Sequence, residues 1–198
     1  MRLAVITRPS FFESEALMIN RMFESGLELL HLRKPDATPT QLESLLAEIS
    51  EDWLGRIVLH SHFELVGKWG LRGGHFGKGR PMNIEGFTGT KSYSCHSFEE
   101  VVEHKPCCDY VFLSPVFNSI SKQGYSSAFT DAELAQAAQR GVIDSKVFAL
   151  GGVTGSSLRY LAQRGFGGAA VLGDVWEHAD PPTRVSELLD ILLSAKTR

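Results

Sequence analysis

Eight short runs of β-forming residues, separated by stretches of helical period or by glycine-rich chain, constrain this sequence more than any other feature. Residues 3–7, 29–33, 57–60, 74–76, 89–94, 110–113, 146–150 and 168–171 read as strands. Residues 13–25, 40–52, 63–69, 98–103, 131–140, 156–164 and 183–196 read as helices, the second of them opened by Pro39-Thr40. Strands that alternate with helices pair in parallel. Eight such units favour closure into a (β/α)8 TIM barrel over an open doubly wound sheet, and no Gly-x-Gly-x-x-Gly follows the first strand. The expectation is an α/β chain forming one barrel domain over residues 1–198, with short loops because the length is only 198 residues. One unit is irregular: residues 73–89 hold Gly73, Gly74, Gly77, Gly79, Gly86, Gly89 and Pro81, which predicts a loop in place of the fourth helix.

Polar chemistry sits just past the strands, at Arg33, His60, His75, His96, Ser119, Ser121 and Lys122. A barrel gathers such strand ends at one mouth. The formal charge of −3, from 20 Lys and Arg against 23 Asp and Glu, gives no global basic field for nucleic acid, so a small anionic ligand held by local charge is expected. No apolar run approaches the ~20 residues that cross a bilayer, so no membrane partner and no targeting leader are expected. Cys95, Cys107 and Cys108 cannot all pair, and adjacent Cys107 and Cys108 would close a strained ring, which points to a reduced, cytoplasmic setting.

Two turns near the C-terminus suit a phosphate monoester. Ala149-Leu150-Gly151-Gly152-Val153 ends one strand, and Gly168-Ala169-Ala170-Val171-Leu172-Gly173 repeats the pattern one unit later, before a short helix expected over residues 174–178. Backbone N–H groups after strands seven and eight, helped by such a helix, commonly cradle phosphate in barrels. The plainer reading is that paired glycines only permit tight turns. Residues 114–122 alternate hydroxyls and end in Lys122, either a loop that covers a phosphate or a solvated polar loop. Arg33 is either an anion clamp or half of a surface ion pair. His60 and His62 could share a face and bind metal with other histidines, yet no carboxylate accompanies them in a zinc spacing, so no metal site is assigned. Cys95 and His96 point to opposite faces of a strand and cannot act as nucleophile and base.

Taken together, His31-Leu32-Arg33, Gly74-His75-Phe76-Gly77, Ser94-Cys95-His96-Ser97, Asp109-Tyr110-Val111, Ser114-Pro115-Val116-Phe117, Lys122 and the two glycine turns resemble the thiamine phosphate synthase and thiazole tautomerase (TenI) family over almost the whole chain. The resemblance implies a TIM barrel of thiamine biosynthesis whose small-molecule partner is a phosphorylated thiazole, held at Gly151, Gly152, Leu172 and Gly173. In the synthase branch, Arg33, His60, Ser94 and Lys122 match positions that contact the pyrimidine diphosphate, and Ser119 and Ser121 match its loop threonines. That branch uses magnesium.

The departures are informative. His60-Ser61 stands where the synthase has Asn-Asp, Gly77-Lys78-Gly79-Arg80 where it has Gly-Gln-Glu-Asp, and Pro35 where it has a second cation, with Lys34 one residue away as a possible substitute. Both magnesium carboxylates are thus missing, and an imidazole or lysine cannot replace a hard oxygen ligand. His31 before Leu-Arg is a tautomerase feature, although Pro115 stands where that branch has its histidine. The reading from sequence is a tautomerase-like isomerase with no cofactor, moving a proton through His31 or His96, with a homo-oligomer left open. A synthase (transferase) that takes Mg2+ and a non-catalytic thiazole-phosphate-binding regulatory protein stay open beside it.

Overall fold

The structure is a computed structural model that describes residues 1–79, 81–117 and 128–196. Eight parallel strands close on themselves in chain order: β1 (Arg2–Ile6), β2 (Leu29–Leu32), β3 (Ile57–Leu59), β4 (Gly73–Phe76), β5 (Thr90–Cys95), β6 (Tyr110–Leu113), β7 (Val147–Ala149) and β8 (Gly168–Val171). β8 returns to β1 with Ala170 beside Ala4, which closes the barrel. Around them lie α1 (Glu15–Glu24), α2 (Pro39–Ala47), α3 (Glu51–Leu54), α4 (Glu64–Lys68), α5 (Phe98–His104), α6 (Asp131–Gln139), α7 (Leu158–Gln163), α8 (Gly173–Trp176) and α9 (Pro181–Lys196). The expected (β/α)8 barrel is present.

Local chemistry explains two of the helix starts directly. α2 and α6 each begin with a reciprocal cap, Thr38 with Gln41 and Thr130 with Glu133, in which each side chain satisfies the other residue's backbone N–H. The helix expected over residues 40–52 divides into α2 and α3. Asn20 of α1 explains the division: its amide donates to the Glu48 carbonyl and accepts from the Ser50 N–H, capturing backbone groups a continuous helix would use. The short helix expected over residues 174–178 starts one residue earlier and runs Gly173–Trp176. Between β4 and β5 the described residues form no helix, and Phe87 packs on Phe63 and Phe76 where one would lie.

Alternate strand residues fill the barrel. Ala4, Ile6, Leu29, Val58, Tyr110, Phe112, Phe148 and Ala170 form the inner cluster, as a closed barrel of this size requires. Gly168 makes room for one of these rings, because a Cβ there would lie 2.3 Å from Phe148. Arg2 stacks its guanidinium 4.8 Å from the Phe148 ring centre on the same ring system. Two residues after Leu29 on the same inward register comes His31, whose ring lies 4.7 Å from that of Phe112. The change from apolar to polar inner layer marks the approach to the site.

Candidate active site

Among the described residues, Arg33 lines two depressions that open where the strands end. The larger, about 650 Å³, lies over the turns after β6, β7 and β8. Ser114, Pro115, Gly151, Gly152, Leu172 and Gly173 line it, together with His96 from the end of β5. The smaller groove, about 190 Å³, lies over β3, β4 and β5 and is lined by His60, Ser61, His75, Lys78 and Ser94.

The glycine turns after β7 and β8 bring bare backbone to the wall of the larger cavity. Gly151 has φ +91, and a Cβ there would come within 2.8 Å of Pro115, so only glycine lets these two turns meet. Among the described residues, no hydrogen bond consumes the backbone N–H of Gly152 or Gly173. Asp174 ties this corner together: it pairs with Arg184 at 3.0 Å and accepts the Gly155 N–H, linking α8 and α9 to the turn after β7. Trp176 donates from Nε1 to the Ile6 carbonyl at 2.7 Å, fastening α8 to the end of β1.

His96 is exposed at the wall of the larger cavity. Its Nδ1–H donates to the Ser114 carbonyl at 2.9 Å, and its backbone N–H donates to Glu100 at 2.6 Å. A neutral ring held in that tautomer carries its lone pair on Nε2, as a proton acceptor requires. His31 is placed differently from the expectation of a group that meets the ligand. It has no exposed surface, lines neither depression, and has both ring nitrogens engaged, Nδ1 with His60 Nε2 at 3.0 Å and Nε2 with the Tyr110 hydroxyl at 2.7 Å. Burial above all, then the charges of His75 and Arg72, holds its pKa well below the usual imidazole value, so it stays neutral.

His75 lies beside these rings with Nδ1 on Ser92 and Nε2 on Ser94, at 2.8 and 2.7 Å. His62, grouped with His60 on sequence, turns away. It adopts φ +54, places Nε2 2.8 Å from the Ala37 carbonyl, and pairs with Glu64. The histidines that do gather are His31, His60 and His75, from the ends of three strands; sequence placed His31 and His75 at neighbouring strand ends but grouped His60 with His62. Cys95 is buried, and burial pushes its thiol up to about 12, which removes it as a nucleophile.

Arg33 is positioned through its backbone, whose N–H donates to Thr7 Oγ1 at 2.9 Å. Lys34 cannot stand in for the second cation. Its Nζ is buried under Phe11 and donates to the Arg8 and Ser10 carbonyls and to Glu15 at 2.7 Å, so its charge is already matched. No Asp or Glu lines the groove among the described residues. These donors do not fit magnesium, which takes hard oxygen ligands. Ser119, Ser121 and Lys122 lie outside the described residues. Sequence reasoning missed Ser114, Thr154, Glu177, His178 and Arg184, which also line the larger cavity; only Ser114, within a marked segment, carried a signal.

Residues 3–175 match the protein family described as thiamine monophosphate synthase. The chain belongs to that family. A thiamine-phosphate synthase of a Psychrobacter species is 27% identical over 177 residues, covering 84% of this chain and 82% of the relative. A crystal structure described as thiamine phosphate pyrophosphorylase from Bacteroides thetaiotaomicron superposes with a TM-score of 0.88 at 39% identity, covering 97% of this chain and 98% of that one. A curated thiamine-phosphate synthase from the same organism is 25% identical over 203 residues, with 93% of this chain and 92% of the relative covered. The family membership makes this chain a thiamine-biosynthesis enzyme of small phosphorylated substrates, and the names of these relatives agree with the synthase alternative better than with the tautomerase reading. Among the described residues no helix is long and apolar enough to cross a membrane.

Proposed function

We propose that this member of the family binds a thiazole phosphate in the larger cavity and moves a proton on its ring, the reaction of a thiazole tautomerase. His96 carries the proton. The observation that carries the reading is the placement of His96 on the same cavity as Gly152 and Gly173, with Nδ1 fixed on the Ser114 carbonyl. In this arrangement the ester phosphate lies against the amides of residues 151–153 and 172–173, with Arg33 at the rim, and the ring extends towards β5. Nε2 then takes a proton from one ring position and returns it at another, and the aromatic product forms without a metal. His31 supports from below by fixing the ring of His60.

The synthase is the second reading, favoured by the names of the relatives and by Pro115 and Ser94. Against it stand the carboxylate-free groove and the engaged Lys34. The test supplies the non-aromatic carboxythiazole phosphate and follows its ultraviolet spectrum. Aromatisation well above the buffer rate, lost in His96→Gln, is expected. Magnesium-dependent thiamine phosphate formation from thiazole phosphate and the pyrimidine diphosphate, with no tautomerisation, would overturn the proposal in favour of the synthase. Binding with neither reaction would instead support the regulatory reading.

A further inference from the structure

We infer that His31, His60 and His75 form a three-nitrogen site for a divalent transition-metal ion of the zinc class at the floor of the smaller groove. The three rings come from the ends of β2, β3 and β4, and one ligand nitrogen from each lies within 4.8 Å of the others. Bonds of about 2.0–2.1 Å to a tetrahedral zinc ion set its nitrogens about 3.4 Å apart. The His31 to His60 pair, now at 3.0 Å, opens by about 0.4 Å, and no other pair, all being within 4.8 Å, need close by more than about 1.4 Å.

The outer contacts argue for a ligand set over a chance cluster. A metal-bound imidazole donates its other N–H to a fixed oxygen, which sets its tautomer and aim. His31 has the Tyr110 hydroxyl at Nε2, and His75 has the Ser92 hydroxyl at Nδ1. Their remaining nitrogens, His31 Nδ1 and His75 Nε2, are directed at His60 Nε2 and at Ser94 Oγ. An entering ion replaces the His31 to His60 hydrogen bond and displaces the Ser94 hydroxyl. His60 and His75 line the groove and provide the way in, so the fourth position faces solvent, where water or an anionic oxygen completes the shell. Three imidazoles with no carboxylate select borderline ions such as Zn2+, Co2+ and Ni2+ over Mg2+ or Ca2+. The inference is independent of His96, which lies on the other cavity.

The full-length protein, stripped with a chelator and dialysed, is titrated with Zn2+ and with Co2+. One equivalent is expected to bind, at least 100-fold more weakly in His60→Gln and about 10- to 100-fold more weakly in Tyr110→Phe. His62→Gln leaves it unchanged. Bound Co2+ is expected to show the intense visible bands of four-coordination. Circular dichroism checks that His60→Gln is folded; if it is not, the Co2+ spectrum of the unaltered protein decides. No stoichiometric binding, full affinity retained in folded His60→Gln, or a six-coordinate Co2+ spectrum overturns the inference.

Discussion

At the scale of single residues, the two most consequential side chains are His96, which is exposed, and Lys34, which is buried. Replacing His96 with Gln keeps a polar side chain at the cavity and removes the proposed proton carrier. A loss of 10²–10⁴ in turnover is expected, with little change in thiazole phosphate affinity, read from kcat and KM separately. Lys34→Met acts on stability. The variant leaves Glu15 buried without its cation, at a cost of about 3–5 kcal/mol at neutral pH. Burial already raises the Glu15 carboxyl above its ordinary 4.5 despite Lys34, and losing Lys34 raises it further. A group whose folded pKa exceeds its unfolded one favours the folded state at low pH and loses that contribution as pH rises through the folded value. The deficit of the variant should therefore shrink as pH falls towards 4.5, which urea unfolding at several pH values measures. A deficit constant with pH would contradict the buried-charge account.

At the scale of elements, the turns after β7 and β8 carry the proposed phosphate site. Gly151→Ala must hold an L-residue at φ +91 and push its Cβ into Pro115, so a loss of about 1–3 kcal/mol in stability is expected, with weaker binding of inorganic phosphate. Differential scanning calorimetry and phosphate titration separate the two effects. These turns were legible in sequence because glycine pairs carry a backbone signal that needs no partner. The strands were legible for a related reason: β6 and β8 begin and end where alternation and apolar runs placed them. The division between α2 and α3 was not, since it depends on Asn20 reaching from another helix. The burial of Lys34 was likewise hidden, because Glu15 lies on α1, far away in the chain. The three-histidine cluster required the barrel to bring three strand ends together.

At the scale of the molecule, barrel closure depends on volume as much as on pairing. Gly168→Ala adds one carbon against the Phe148 ring and should destabilise by about 1–3 kcal/mol through overpacking. Phe148→Leu in the same chain should recover part of that loss, so the double variant is more stable than the sum of the singles, as chemical unfolding can show. An additive pair would mean that the wall moves outward to admit the methyl. Arg33 has a different reach, since its single guanidinium borders both depressions. Its five N–H donors belong to one planar group. Where two negatively charged guests draw on the same donors they compete for one grip, and thermodynamic reciprocity makes the antagonism mutual: each loosens the hold on the other by the same factor.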